Sequence, residues 1–173
     1  MAEGCYGRYY FAYGSNLWLA QMALRCPGST FVSIARLVNY RWFISERGYA
    51  NIVRSPGDEV WGMIYTLTSN DEAALDIYEG VPRNYVKEIL PIDLPDGTPL
   101  IVLAYMDHLH LVDGVVKTEY INRMSCGIQD ARKKGIPVSY VERYMLEPLA
   151  LGSSFLDTDS RPGSSGGLCV NPN

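Results

Sequence analysis

The sequence predicts an α+β fold whose core is a curved or closed mixed β-sheet. Two observations carry this. The order of segments is mixed: one strand, one helix, several β-rich stretches with a single short helix among them, then helices to the end of the ordered part. The β-rich stretches are dense in branched and aromatic residues and are punctuated by short Gly, Pro and Asp-Gly breaks. At 173 residues, the chain is long enough for one domain with a sizeable core.

Residues 8–13 read as the first strand. Residues 16–26 read as a helix, closed by Cys26-Pro27-Gly28. Residues 29–46 hold β-rich material, and residues 50–54 and 58–67 read as two strands split by Ser55-Pro56-Gly57. Ser69, followed three residues later by Glu72, predicts a capping box at a helix start, with Gly80 and Pro82 stopping that helix. Tyr85–Leu94 and Leu100–Asp107 read as a hairpin turned at Asp96-Gly97. Residues 117–134 and 138–146 read as helices. From Gly152 the composition shifts to Gly, Ser, Asp and Pro, which predicts a flexible tail over 152–173 behind a domain of residues 1–151.

Several classes of function are excluded by composition. Hydrophobic residues make up 47% and charged residues 20%, ordinary values for a globular chain. Net charge is -4, and the longest basic run, Arg132-Lys133-Lys134, falls at a helix end where cations complement the dipole; nucleic acid is not an expected partner. No stretch approaches the roughly 20 apolar residues of a membrane span, and Met1-Ala2-Glu3-Gly4 does not open a signal peptide. Cys5, Cys26, Cys126 and Cys169 lie far apart, as in a reduced, cytoplasmic chain. His108 and His110 alternate on an expected strand, but no third ligand is in view, so no metal and no cofactor is expected.

Two places carry chemistry. The aromatic strand ends at Tyr13-Gly14-Ser15-Asn16, just before a helix. Glycine permits close approach to the main chain, and a helix entrance leaves N–H groups free for a carboxylate or an oxyanion. The plainer alternative is that Ser15 or Asn16 merely caps the helix. Glu79 ends the short inserted helix in "DIYEGVPRNY", where the negative end of the dipole raises a carboxyl pKa. That suits a tuned base, and equally it fits an exposed acid in a loop. Most of the 13 tyrosines fit strand and core positions.

Together with "YYFAYGSNL", "SPGDEVWGMIYTL", "LDIYEGV", "NYV", "LAYM" and "GIPVSYVERYMLEP", these segments resemble the γ-glutamylcyclotransferases in order and spacing, from about Tyr9 to Pro148. The resemblance implies a small mixed or antiparallel β-barrel flanked by helices. It implies that the loop of Gly14, Ser15, Asn16 and Leu17, entered from Tyr13, holds a γ-glutamyl group through backbone N–H groups. It implies Glu79 as catalytic acid/base, Tyr85 as the tyrosine after it, and Tyr105 and Tyr120 as pocket tyrosines. The segments at 79–85 and 45–50 are shorter than in animal members, and the glycine-rich tail has no counterpart there. The implied reaction closes a γ-glutamyl amide to 5-oxoproline and frees an amine, without metal or protein nucleophile. The expected partner is a small γ-glutamyl substrate, and self-association into a homodimer is left open. Two other readings remain: a biosynthetic relative using Glu79 for another cyclisation, elimination or isomerisation, and a non-catalytic binding module.

Overall fold

The computed structural model describes residues 7–149 and Cys169. Its strands are β1 (Arg8–Ala12), β2 (Thr30–Ile44), β3 (Ala50–Leu67), β4 (Val86–Asp93) and β5 (Pro99–Met106). They close into a barrel in the order β1-β3-β2-β4-β5. Pairing is antiparallel except at the closing seam, where β1 meets β5 in parallel at Tyr10 and Leu103. The inward faces of these strands supply the core: Phe11, Trp42, Ile52, Ile64 and Leu103 are buried. Packing side chains of this size on the inner face is what a small barrel needs to fill its interior.

The helices are α1 (Leu19–Arg25), α2 (Ser69–Tyr78), α3 (Thr118–Lys133) and α4 (Val138–Val141), the last running into a π-type turn over Glu142–Leu146. Helix α3 lies against the turn that follows β1: Gly127 packs on Leu17, and Asp130 Oδ2 accepts the Leu19 N–H at 3.0 Å. The expected α+β barrel is therefore the observed fold.

Local expectations need correction in five places. The helix expected over 16–26 is a 3-10 turn at Ser15–Leu17 followed by α1, because the backbone opens at Trp18 (φ -77°, ψ 110°). The expected strands 50–54 and 58–67 are one strand, β3. While β2 advances from Val38 to Tyr40, β3 retreats from Glu59 to Arg54, so Ser55-Pro56-Gly57 is a bulge rather than a break. The capping box of α2 is formed one residue earlier than expected, by Thr68 and Asp71. His108 and His110 lie beyond the end of β5 and part company: His108 Nε2 meets Glu88 at 2.8 Å and His110 Nδ1 meets Asp107 at 2.8 Å. Finally, Cys126 and Cys169 are not separate thiols but a disulfide, their Cα atoms 5.8 Å apart. The expected domain boundary and tail lie outside the described residues.

Candidate active site

The turn after β1 and the end of α2 open on one cavity of about 230 Å³. That size suits a small metabolite rather than a drug-sized ligand. Glu79 lines it, as do Tyr13, Gly14, Ser15 and Asn16. Two features put Glu79 there. It is the C-cap of α2, its N–H bonded to the Leu75 carbonyl at 2.8 Å. Gly80 then turns the chain at φ +65°, which a larger residue would adopt only with strain.

Asn16 is the hub. Its Nδ2 donates to Glu79 Oε1 at 3.2 Å and to the Tyr10 hydroxyl at 2.9 Å. Its Oδ1 accepts from Gln21 Nε2 at 3.0 Å and from Arg25 Nη1 at 3.1 Å. With donors and acceptor all engaged, the side chain is fixed, and the direction of Glu79 is fixed with it. The side chains of Ser15 and Asn16 cap no helix; neither helical start after β1 has a side-chain cap bond. Ser15 Oγ instead accepts from Gln21 at 2.9 Å.

The turn itself is held open. The Trp42 indole donates to the Tyr13 carbonyl at 3.0 Å, and the Leu17 N–H closes the 3-10 turn onto the Gly14 carbonyl at 3.0 Å. The N–H groups of Gly14, Ser15 and Asn16 are taken by no backbone carbonyl among the described residues. The Ser15 N–H donates to the Tyr120 hydroxyl at 3.2 Å. A Cβ on Gly14 would come within 3.0 Å of that hydroxyl, so glycine is what lets Tyr120 approach.

The other tyrosines named from the sequence also line the cavity, but their hydroxyls are occupied. Tyr85 donates to the Ala50 carbonyl at 2.8 Å, Tyr105 to Asp76 Oδ1 at 2.7 Å, and Tyr13 to the Tyr105 carbonyl. They present ring faces and edges rather than free hydroxyls. Leu17 is different: its side chain is buried in the core and does not line the cavity.

The chain has relatives among known proteins. Residues 10–120 match the family described as gamma-glutamyl cyclotransferase, AIG2-like. The chain belongs to this family. It is 31% identical to the gamma-glutamylcyclotransferase of Mus musculus over 145 residues, covering 78% of this chain and 75% of the relative. The Homo sapiens gamma-glutamylcyclotransferase is 28% identical with the same coverage. A solved structure titled gamma-glutamyl cyclotransferase superposes with a TM-score of 0.71 at 25% identity, covering 88% of this chain and 97% of that one.

Within this cyclotransferase-family cavity, Glu79 carries a raised pKa. Burial is the main cause, and it is opposed by the Arg25 guanidinium, the Asn16 hydrogen bond and then Arg123 and Arg47. Desolvation is the largest of these causes, a contribution the sequence reading, which named only the helix dipole, did not include. Burial also pushes Tyr120 up to about 12, so its hydroxyl keeps its proton at neutral pH and can donate. The three arginines on the cavity wall, Arg25, Arg47 and Arg123, were not legible as site residues. Arg25 reads as an ordinary cation at a helix end. Arg123 could have been found, since it lies three residues after Tyr120 on the same face of α3. Among the described residues, no group of three or more His, Cys, Asp or Glu could hold a metal ion.

Proposed function

We propose that the protein is a γ-glutamylcyclotransferase that converts a γ-glutamyl amide to 5-oxoproline and a free amine. The single observation that carries the reading is the hydrogen bond of 3.2 Å between Asn16 in the glycine turn and the half-buried, pKa-raised Glu79 on the same cavity. The substrate brings its own nucleophile. Glu79, as carboxylate, takes a proton from the α-ammonium group; the freed amine nitrogen attacks the γ-carbonyl carbon. The tetrahedral intermediate collapses by breaking the original amide C–N bond; Glu79 returns its proton to the leaving nitrogen, and the second proton, shed by the ring nitrogen as it becomes the lactam N–H, leaves with the free amine as its ammonium ion. Holding the donor bent supplies much of the acceleration, roughly 7–11 kcal/mol in the best intramolecular cases. The Gly14 and Asn16 N–H groups and the Tyr120 hydroxyl, itself held by the Ser15 N–H at 3.2 Å, are the donors for the oxyanion, each worth about 3–4 kcal/mol in known sites. Tyr13, Tyr85 and Tyr105 shape the walls around the substrate.

The test is Glu79→Gln with γ-glutamyl-alanine, following 5-oxoproline by mass. The variant should lose about 100- to 10,000-fold in kcat, the usual worth of a general acid/base. Undiminished turnover, or a product other than 5-oxoproline from the parent enzyme, would overturn the reading. We place the enzyme in the cytoplasm as part of this proposal, where thiols are held reduced and the Cys126–Cys169 bridge would be open; among the described residues, no helix is long and apolar enough to cross a membrane.

A further inference from the structure

Gln21 lies on α1, is 1% exposed and does not line the cavity. Its amide nitrogen is engaged twice: Nε2 donates to Ser15 Oγ at 2.9 Å and to Asn16 Oδ1 at 3.0 Å. Its amide oxygen is buried and accepts no hydrogen bond among the described residues. A buried acceptor without a donor lowers stability, because water solvates it in the unfolded chain. An apolar side chain of the same length would avoid that loss. A residue that merely packed α1 against the barrel would therefore not need to be glutamine.

What the arrangement fixes is the direction of a second amide. The two ends of the Asn16 amide are alike in size and opposite in hydrogen bonding. Nδ2 faces Glu79 Oε1 and the Tyr10 hydroxyl, while Oδ1 faces Gln21 and Arg25. Turned over, Asn16 would set an oxygen against the Glu79 carboxylate, one acceptor facing another. The Tyr10 and Ser15 hydroxyls fit either direction, since a hydroxyl both donates and accepts. Two groups resist the reversal from the far side of the amide. Arg25 is half-buried, and its guanidinium also lies 4.5 Å from the Tyr78 ring centroid. Gln21 is the interior one. The same Gln21 nitrogen holds Ser15, whose N–H meets the Tyr120 hydroxyl. One amide behind the cavity thus joins the side of the base to the side of the oxyanion donors.

We propose that Gln21 is a positioning residue for the reaction: without touching the substrate, its amide fixes the direction of Asn16 and, through Asn16, the placement of the Glu79 carboxylate relative to the glycine turn. The proposal rests on the cyclisation reading above.

Gln21→Met tests this, because it removes the amide while keeping the side-chain length and a good helix former. The urea midpoint should stay close to the parent's, since two hydrogen bonds and one unpaired acceptor disappear together. With γ-glutamyl-alanine, kcat should fall about 10-fold and KM should stay within about twofold, because the substrate contacts remain while the reacting geometry loosens. The Asn16 hydrogen bond favours the Glu79 carboxylate, so weakening it should move the acid limb of kcat/KM toward neutral pH, by roughly half a unit to one unit. The other groups that act on Glu79 are unaltered in this variant: Arg25 of α1, Arg123 of α3, Arg47 of the β2–β3 turn, and the phenols of Tyr10 and Tyr120. In an Asn16→Ala background the same substitution should shift the limb no further, because the residue it acts through is gone. A carbon NMR titration of the Glu79 carboxyl, recognised by its absence from Glu79→Gln, reads the same shift without turnover.

An unmoved limb and titration in Gln21→Met, a shift that persists undiminished after Asn16→Ala, or loss of the fold in both Gln21→Met and Gln21→Leu would overturn the assignment. Absence of 5-oxoproline from the parent enzyme, alongside an Asn16-dependent shift of the carboxyl titration, would remove the cyclisation reading and leave the hold of Gln21 on Glu79 standing.

Discussion

At the scale of single residues, the site is a balance around one carboxyl group. Burial raises the Glu79 pKa, and Arg25 and Asn16 pull it back. A base works as the carboxylate, so kcat/KM should fall as pH drops through the raised value. The acid limb therefore lies above the ordinary carboxyl pKa of 4.5. Arg25→Gln removes the strongest cation opposing burial, so that limb should move further toward neutral pH, while the plateau on its alkaline side is kept. Arg123→Gln should move it in the same direction by less, because its influence on Glu79 is smaller. A pH profile of kcat/KM with γ-glutamyl-alanine for the parent and both variants checks the order. A limb that stays in place in Arg25→Gln would mean that Glu79 is not the titrating base. The sequence pointed to Glu79 and to a raised pKa through the helix dipole, but not to burial, the largest cause in the structure. A dipole is visible in a linear pattern, whereas desolvation depends on residues from distant segments closing over the carboxyl group.

At the scale of elements, α2 holds Glu79 and its start can be tested directly. Thr68 Oγ1 accepts the Asp71 N–H at 3.2 Å, and Asp71 Oδ2 accepts the Thr68 N–H at 3.0 Å. Ser69, the cap expected from the sequence, is exposed. Thr68→Ala should cost about 1 kcal/mol in urea unfolding and Ser69→Ala close to nothing. The reverse order would restore the cap read from the sequence. The helix itself was legible, since acids crowd its first turn and Gly80 ends it. Its register was not, because Thr68-Ser69 and Asp71-Glu72 offer two overlapping boxes. A tertiary contact breaks the tie: Asp71 Oδ1 also accepts the Gly28 N–H at 3.1 Å, while Glu72 is spent on Arg8 and Lys87. Strand β3 teaches the same lesson. Ser55-Pro56-Gly57 looks like a break until Asn39, at φ 63° on the facing strand, takes the Gly57 N–H at 3.1 Å.

At the scale of the whole molecule, the barrel was legible because strand composition and turn chemistry agree along the chain, which is how a sequence specifies one fold. The arginine ring of the cavity was not, because Arg25, Arg47 and Arg123 come from α1, the β2–β3 turn and α3, and only closure of the fold brings them together. The Cys126–Cys169 bridge was hidden for the same reason, its partners being 43 residues apart. A bridge closing a loop of that length contributes roughly 4 kcal/mol in the chain-entropy account. One end of it lies on α3, whose first turns carry Tyr120 and Arg123 to the cavity. Yet α3 has its own hold on the barrel. Met124, Ile128 and Ala131 are buried, Gly127 packs on Leu17, and Asp130 accepts the Leu19 N–H. Reduction by dithiothreitol should therefore lower the urea midpoint clearly while leaving kcat/KM for γ-glutamyl-alanine within about twofold, since the catalytic face is set by packing rather than by the bridge. Thiols at both positions after rapid alkylation in intact cells would agree with a cytoplasmic enzyme that works in the reduced form. A loss of turnover in step with reduction would instead make the bridge a condition of the active site, and would place the working protein in an oxidising compartment.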